Sequence, residues 1–455
     1  MFEEEGNRRK ALAIVESLKY PQMNDREWQV HAADDSTLGD LFIGEESKRH
    51  PQIMSLLSFL EGDSGLFWIQ GKPASGKSMF MKYLLSRSHG ADKLWTSSDP
   101  KEAIFASHFC WVAGTTMQKS QQGLLQSLLY KVLLADLALV PIACPFQWNS
   151  GFGPSEWHEK ELWGCLYAAV QGSDRQICFF IDGLDELEPE RTHIPLAKAL
   201  NKLSSYGNSK VVVSSRPWTV LELNLKHNDG ILTMEDNNRL AIIRHVQIEL
   251  EMHATDGAFD EVSWRCIYEQ QQDCRYMHRH GEAHDLASKI AKNAKGIFLW
   301  VALVMEAVSR HVVSGCPVSV LNCYVDKIPT ELEEYFRNMI FKRIHKSMLS
   351  ETAVALSIAL RKDRQASVCH FALLCNYMDS GESWLTDPEF ASNLPCVTTT
   401  PDEAEKIAQK THAFLRGCCR DLLVVSNRWD HLIYKPVDFT HRTVFDYLRT
   451  PEMQV

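Results

Sequence analysis

The residues Gly71-Lys72-Pro73-Ala74-Ser75-Gly76-Lys77-Ser78 have the types and spacing of a loop that cradles phosphate. The context supports the spelling. The apolar run Leu66-Phe67-Trp68-Ile69 precedes it and Met79-Phe80-Met81-Lys82-Tyr83-Leu84-Leu85 follows, so the order reads strand, glycine-rich loop, helix. Gly71 and Gly76 let the backbone turn so that successive N–H groups converge on an anion. The helix that starts near Lys77 adds the positive end of its dipole. Lys77 would reach the β- and γ-phosphates, and the Ser78 hydroxyl would sit on Mg²⁺.

Two further stretches fit the same chemistry. In Phe179-Phe180-Ile181-Asp182-Gly183-Leu184-Asp185-Glu186, an acid closes a run apolar enough for a doubly buried strand. Mg²⁺ takes few carboxylates and keeps several waters, so Asp182 with Ser78 suffices as its protein ligands. Asp185 or Glu186, one short turn on, could orient the attacking water. In Val211-Val212-Val213-Ser214-Ser215-Arg216-Pro217, Arg216 stands at the tip of another buried strand. There it can face the γ-phosphate and report hydrolysis, because a guanidinium matches phosphate geometry.

The elements that must carry these residues alternate. Strands are expected at 104–111, 177–181, 211–213 and 231–234, with a helix over 121–140 and a loop over 141–154, where Gly151-Phe152-Gly153 reads as a turn. Strands this apolar, separated by helices, predict a parallel sheet covered on both faces, an α/β fold. Before the sheet, residues 8–20 and 37–61 show helical periods. After about residue 236 the strands stop, and helices are expected over 238–252 and 284–313. Thr330-Glu331-Leu332-Glu333 spells a capping box, and Thr400-Pro401-Asp402-Glu403 spells a second helix start. Leu422-Leu423-Val424-Val425, a turn at 427–430 and Leu432-Ile433-Tyr434 then suggest a hairpin ahead of a last helix at 441–449, the outline of a winged helix. The division that follows is a helical lead-in (1–61), a nucleotide-binding domain (62–235), a helical domain (236–328) and a winged-helix-like domain (329–455).

Composition bounds the class. The 455 residues carry a formal net charge of −10, which argues against a general nucleic-acid or anionic-membrane surface. The 13 cysteines form no C-x-x-C pair, as expected of reduced thiols in an intracellular protein. The acidic start Met1-Phe2-Glu3-Glu4-Glu5 does not read as a signal peptide, and the longest apolar run, Gly296 to Val308, is interrupted by Glu306 and is too short to span a bilayer. A cytoplasmic location is expected. Cys274, His278, His280 and His284 match no zinc signature and read as a solvated polar insertion.

Taken in order, with the small residue Gly183 between Asp182 and the distal acidic pair, the three stretches resemble a NACHT domain. The resemblance is to the nephrocystin-like NACHT proteins of filamentous fungi, within the signal-transduction class of P-loop NTPases. Met23-Asn24-Asp25-Arg26, Trp68-Ile69-Gln70-Gly71-Lys72, Gly114-Thr115 to Leu129, and Gly296-Ile297-Phe298-Leu299-Trp300-Val301 support it. It implies a five-stranded core whose Arg216 strand lies between the strands of the loop and of Asp182, then helical and winged-helix-like domains closing over the nucleotide. Phe439-Thr440-His441-Arg442-Thr443-Val444-Phe445 is similar to the segment of NACHT receptors whose histidine touches the β-phosphate of ADP, so His441 carries over onto that role; as a plain residue it reads equally well as a helix cap.

The function so implied is a switch of NLR-like type, closed with ADP and open with ATP, reset by slow Mg²⁺-dependent hydrolysis and serving fungal innate-immunity or incompatibility signalling. Its ligands would be ATP or ADP, with GTP not separated from them by sequence, and Mg²⁺. Its partners would be further copies of itself on activation and an effector protein. Family members usually carry an N-terminal effector domain and a C-terminal sensor array, and neither lies within these residues. The rival readings are a P-loop ATPase or kinase acting on a small molecule, and a scaffold that binds nucleotide without catalysis.

Overall fold

The computed structural model describes residues 2–30, 50–87, 103–112, 114–151, 156–188, 193–225, 230–253, 281–361, 366–377, 400–419, 422–425 and 432–453. The chain divides into two compact units, residues 1–321 and 322–455.

The first unit is built on five strands: β1 (Gly65–Gln70), β2 (Ile104–Phe109), β3 (Ile177–Asp182), β4 (Ser209–Ser215) and β5 (Gly230–Thr233). All pair in parallel, in the order β2-β3-β4-β1-β5. The strand that ends before Arg216 therefore lies between the strand before the loop and the strand that ends in Asp182. This is the α/β fold of the P-loop NTPases, with its five-stranded parallel core. Parallel pairing needs crossover helices, and these cover both faces, so the strands must be apolar on both sides. They are: β3 and β4 are buried along their whole length.

Alternation along the strands sorts the two cores. Leu66, Trp68, Phe179, Ile181, Val211 and Val213 pack on one face with the helix Gln121–Ala135. Phe67, Ile69, Cys178, Phe180 and Val212 pack on the other with Phe80, Met81 and Leu84 of the helix Lys77–Ser86. Because the side-chain period is two, Asp182 and Ser214, next in phase after Phe180 and Val212, emerge on the face of the loop helix.

Four local expectations need correction here. The sequence predicts loop over 141–154; the described part of that stretch holds two short helices, Val140–Ala143 and Pro145–Ser150, each with Pro in its first turn. Gly151 closes the second with φ +89°. The helical stretch 284–313 is two helices, Gly281–Ala294 and Phe298–Val313, broken where Lys295 and Gly296 take φ +49° and +80°.

The other two corrections lie in the second unit. It holds helices Leu332–Asn338, Leu349–Leu360, Val368–Tyr377 and Pro401–Cys418, then an antiparallel ribbon of β6 (Leu423–Val425) and β7 (Val437–Phe439), then the helix Arg442–Leu448. Leu432–Tyr434 is a 3-10 turn, and the second strand of the ribbon is β7. Thr400 and Glu403 form the expected capping box. Thr330 and Glu333 do not: that helix starts at Leu332, with Glu331 as its N-cap. Burying Tyr335 and Phe336 fixes its phase, and each such ring outweighs a cap contributing about 1 kcal/mol.

Residues 37–49, the turn 427–430, and Cys274, His278 and His280 lie outside the described residues, and nothing is described of the His284 side chain. Among the described residues no group of His, Cys, Asp and Glu could hold a metal ion in the manner of a three-ligand cluster. Among them, too, no single helix is long and apolar enough to cross a membrane.

Candidate functional site

The loop Gly71–Ser78 springs from the end of β1 and is tied to β4 at once, Gly71 N–H donating to the Ser215 carbonyl at 3.2 Å. It is tightly wound: Ala74 has φ +63° and Gly76 φ +95°, and Gly76 is the N-cap of the helix Lys77–Ser86. The Lys77 ammonium folds over the loop and donates to the carbonyls of Gly71 at 2.7 Å and Lys72 at 2.9 Å. Burial lowers its pKa, Asp185 and Asp182 raise it, and Arg216 lowers it again. Two cations, Lys77 and Arg216, thus share the site with the carboxylates of Asp182, Asp185 and Glu235.

Asp182, 2% exposed at the tip of β3, is the most confined of these groups. Burial raises its pKa, while hydrogen bonds from Ser214 and Ser78 pull it back and the charge of Arg26 acts in the same direction. Ser78 in the first turn of the loop helix and Asp182 at the strand end are therefore near enough for the hydroxyl to favour the ionised carboxylate. A buried carboxylate paired with a hydroxyl is a hard-oxygen donor set of the kind Mg²⁺ prefers, so the residues present fit the ion. Mg²⁺ held there would neutralise developing charge between phosphates. The chain's own part is to aim the carboxylate: the Ser214 hydroxyl from β4 donates to Asp182 Oδ1 and fixes its orientation.

Asp185 and Glu186 lie in a 3-10 turn, Leu184–Glu186, and do different things. Asp185 grips the Arg216 segment twice: it accepts from Arg216 N–H at 3.0 Å and pairs with the guanidinium Nε at 3.3 Å. Its side chain is only 9% exposed, against 32% for Arg216, so the acid is anchored and the base reaches outward. Glu186 accepts from Val112 N–H at 2.9 Å and so ties the turn to the end of β2.

Gly183 makes the turn possible. It has φ +72°, its N–H donates to Ser214 Oγ at 3.1 Å, and a Cβ there would stand 3.4 Å from the Cys110 carbonyl and from Glu186 Cγ. Gly183→Ala is expected to cost about 1–2 kcal/mol, the penalty of left-handed backbone in an L-residue. A lowered urea midpoint would show it, and an unchanged midpoint would mean that the turn relaxes freely.

The sequence-predicted residues of the first unit thus meet at the carboxyl ends of β1, β3 and β4, where open parallel sheets bind ligands. His441 lies in the second unit and is described with it: it is the N-cap of the helix Arg442–Leu448, its Nδ1 accepting from Thr443 N–H at 3.1 Å. That bond puts the proton of the neutral imidazole on Nε2, leaving that nitrogen a donor.

Four further residues join the site that motif spacing does not single out. Ser214 orients Asp182. Arg26, from the lead-in, adds charge near it and lies over the Trp111 ring, 5.8 Å from its centroid. Glu235 accepts from Lys72 N–H, and Asn238 donates to the Ser75 carbonyl at 2.9 Å. Only the polar doublet Asn237-Asn238 between a strand and a helix hints at the last, and it reads as an ordinary helix start.

Fold and site together define a P-loop NTPase domain in the first unit, consistent with the resemblance to NACHT domains. Comparison agrees. Residues 44–216 match the family model described as Nephrocystin 3, N-terminal, and residues 343–455 match one described as a domain of unknown function. The vegetative incompatibility protein HET-E-1 of Podospora anserina is 22% identical over 400 residues, which are 85% of this chain and 24% of that protein. The chain thus spans about a quarter of the length of that curated relative. Among solved structures, the Drosophila ORC bound to DNA aligns at 12% identity with a TM-score of 0.37, over 93% of this chain and 95% of that one. A Walker-type ATPase of Pyrococcus abyssi aligns at 11% with a TM-score of 0.35, over 92% and 99%. Such slight structural likeness transfers no function.

Proposed function

We propose that the chain is a cytoplasmic, nucleotide-operated signalling switch of the NACHT type, in the signal-transduction class of NTPases. ADP holds it closed; exchange for ATP with Mg²⁺ opens it for self-association and for an effector protein; slow hydrolysis resets it. The observation that carries the reading is the gathering of Lys77, Ser78, Asp182, Asp185 and Arg216 at one end of the parallel sheet. Lys77 would meet the β- and γ-phosphates, and Ser78 and Asp182 would hold Mg²⁺. Arg216, pinned by Asp185, would face the γ-phosphate, with Asp185 or Glu186 the candidate to orient water. The name of the HET-E-1 relative suggests the setting, incompatibility signalling.

In this reading the second unit is a winged-helix-like closing domain and His441 donates from Nε2 to the ADP β-phosphate. Capping and phosphate binding use different ring nitrogens, so both roles are compatible. His441→Asp separates them. Aspartate caps as well as any residue but offers no donor and repels phosphate. The expected outcome is about 10- to 100-fold faster release of a fluorescent ADP analogue, the loss of one hydrogen bond to a charged group, together with larger species in size-exclusion light scattering. Wild-type release and an unchanged profile would leave His441 a cap and remove the second unit from the nucleotide site.

A further inference from the structure

We infer that Asn238 positions the phosphate-binding loop and couples its shape to the helical segment after the sheet, an inference that rests on the nucleotide reading above. Asn238, the C-cap of the short helix Met234–Asn237 that follows β5, is fully buried just ahead of the helix Arg239–His253. Its amide nitrogen donates to the Ser75 carbonyl at 2.9 Å and to the Gly296 carbonyl at 2.8 Å. Two acceptors around one end of the amide admit only the NH₂ there.

Neighbouring contacts act on the same loop. Glu235 accepts from Lys72 N–H, Leu299 N–H donates to the Ala74 carbonyl at 3.3 Å, and the Phe298 ring lies so close to Gly76 that a Cβ there would come within 2.9 Å of Cδ2. Residues 72, 74, 75 and 76 are thus gripped from outside their own strand and helix. The grip needs the break at Gly296, whose φ is +80° and where a Cβ would stand 2.7 Å from Glu235 Cα.

The consequence follows from peptide geometry. Carbonyl and N–H point in opposite directions across a trans peptide. Fixing the Ser75 carbonyl on Asn238 therefore turns the Gly76 N–H away from Asn238. An anion that draws on that N–H strengthens the alignment of Ser75 with Asn238, and through it the Gly296 junction. By linkage, the factor by which ADP favours the formed junction is the factor by which the formed junction favours ADP.

The test uses the full chain with Mg²⁺-ADP, titration calorimetry and hydrogen exchange. In wild type, ADP should slow exchange in the loop and in peptides covering residues 297–300 together. Asn238→Asp keeps the shape but sets a carboxylate against two carbonyls. It should weaken ADP roughly 10- to 100-fold, the loss of two hydrogen bonds to backbone carbonyls, and residual protection should stay in the loop without reaching residues 297–300. Asn238→Ser, a shorter donor, should fall between. Wild-type affinity and protection in Asn238→Asp would overturn the inference alone. So would loop protection in wild type with residues 297–300 unmoved, an arm that holds even if the variants fail to fold. A wild-type chain that binds no ADP would overturn the nucleotide reading as well.

Discussion

Lys77→Ala is expected to abolish tight nucleotide binding. The ammonium is held over the loop by the carbonyls of Gly71 and Lys72, beside two carboxylates that oppose an incoming phosphate. Removing it deletes hydrogen bonds to charge that contribute about 1.5–3 kcal/mol each, and it leaves Asp182 and Asp185 balanced by one cation fewer. A loss near 3 kcal/mol is roughly 150-fold in affinity. The same change removes the ligand's effect on unfolding. At a hundredfold saturation a nucleotide adds about 2.7 kcal/mol of stability, so Mg²⁺-ADP should raise the Tm of wild type and leave that of Lys77→Ala unmoved. Calorimetric titration and thermal melts with and without ADP measure both. Equal affinity in the two proteins would remove the phosphate loop from the account.

The second large effect is expected at Asp182. Asp182→Asn keeps the size and the bond from Ser214 but removes the charge that would pair with Mg²⁺ beside Ser78. It should abolish most of the gain in ATP affinity that Mg²⁺ confers and change Mg²⁺-free ADP binding little. The pH dependence is distinctive. Burial raises the pKa of Asp182 above 3.8, so without a cation the folded chain holds this proton more tightly than the unfolded chain. The stability this contributes is complete below 3.8 and is lost as pH rises through the raised folded value. Mg²⁺ bound there would offset the loss by pairing with the carboxylate. The Mg²⁺-induced rise in Tm should therefore grow with pH in wild type and stay flat in Asp182→Asn. Parallel slopes in the two proteins would place the ion elsewhere.

Much of the first unit was legible because doubly buried strands are written as unbroken apolar runs. Phe179-Phe180-Ile181 and Val211-Val212-Val213 could hardly be anything else. Their neighbours are a different matter: apolar runs carry no address, and the central place of β4 followed from family resemblance. Strand-end residues were legible for the same reason as the strands, since Asp182 and Arg216 stand where a run stops. The contacts of Asn238, Glu235 and Ser214 were not, because each joins segments far apart in the chain through a single polar atom. Short elements failed where local signals compete with packing. Leu432–Tyr434 looks more strand-like than Val437–Phe439, yet β7 is the one that lies against β6 and buries Val437 and Phe439.

The central claim is that this chain holds a nucleotide and changes state with its identity. The most direct measurement is the nucleotide extracted from the purified protein, identified and quantified by mass spectrometry, with scattering of the same sample before and after exchange into ATP and Mg²⁺. The account predicts stoichiometric ADP in wild type, none in Lys77→Ala, and a larger or more extended species once ATP replaces ADP. A chain that carries no nucleotide, binds neither ADP nor ATP when supplied, and scatters identically throughout would contradict it.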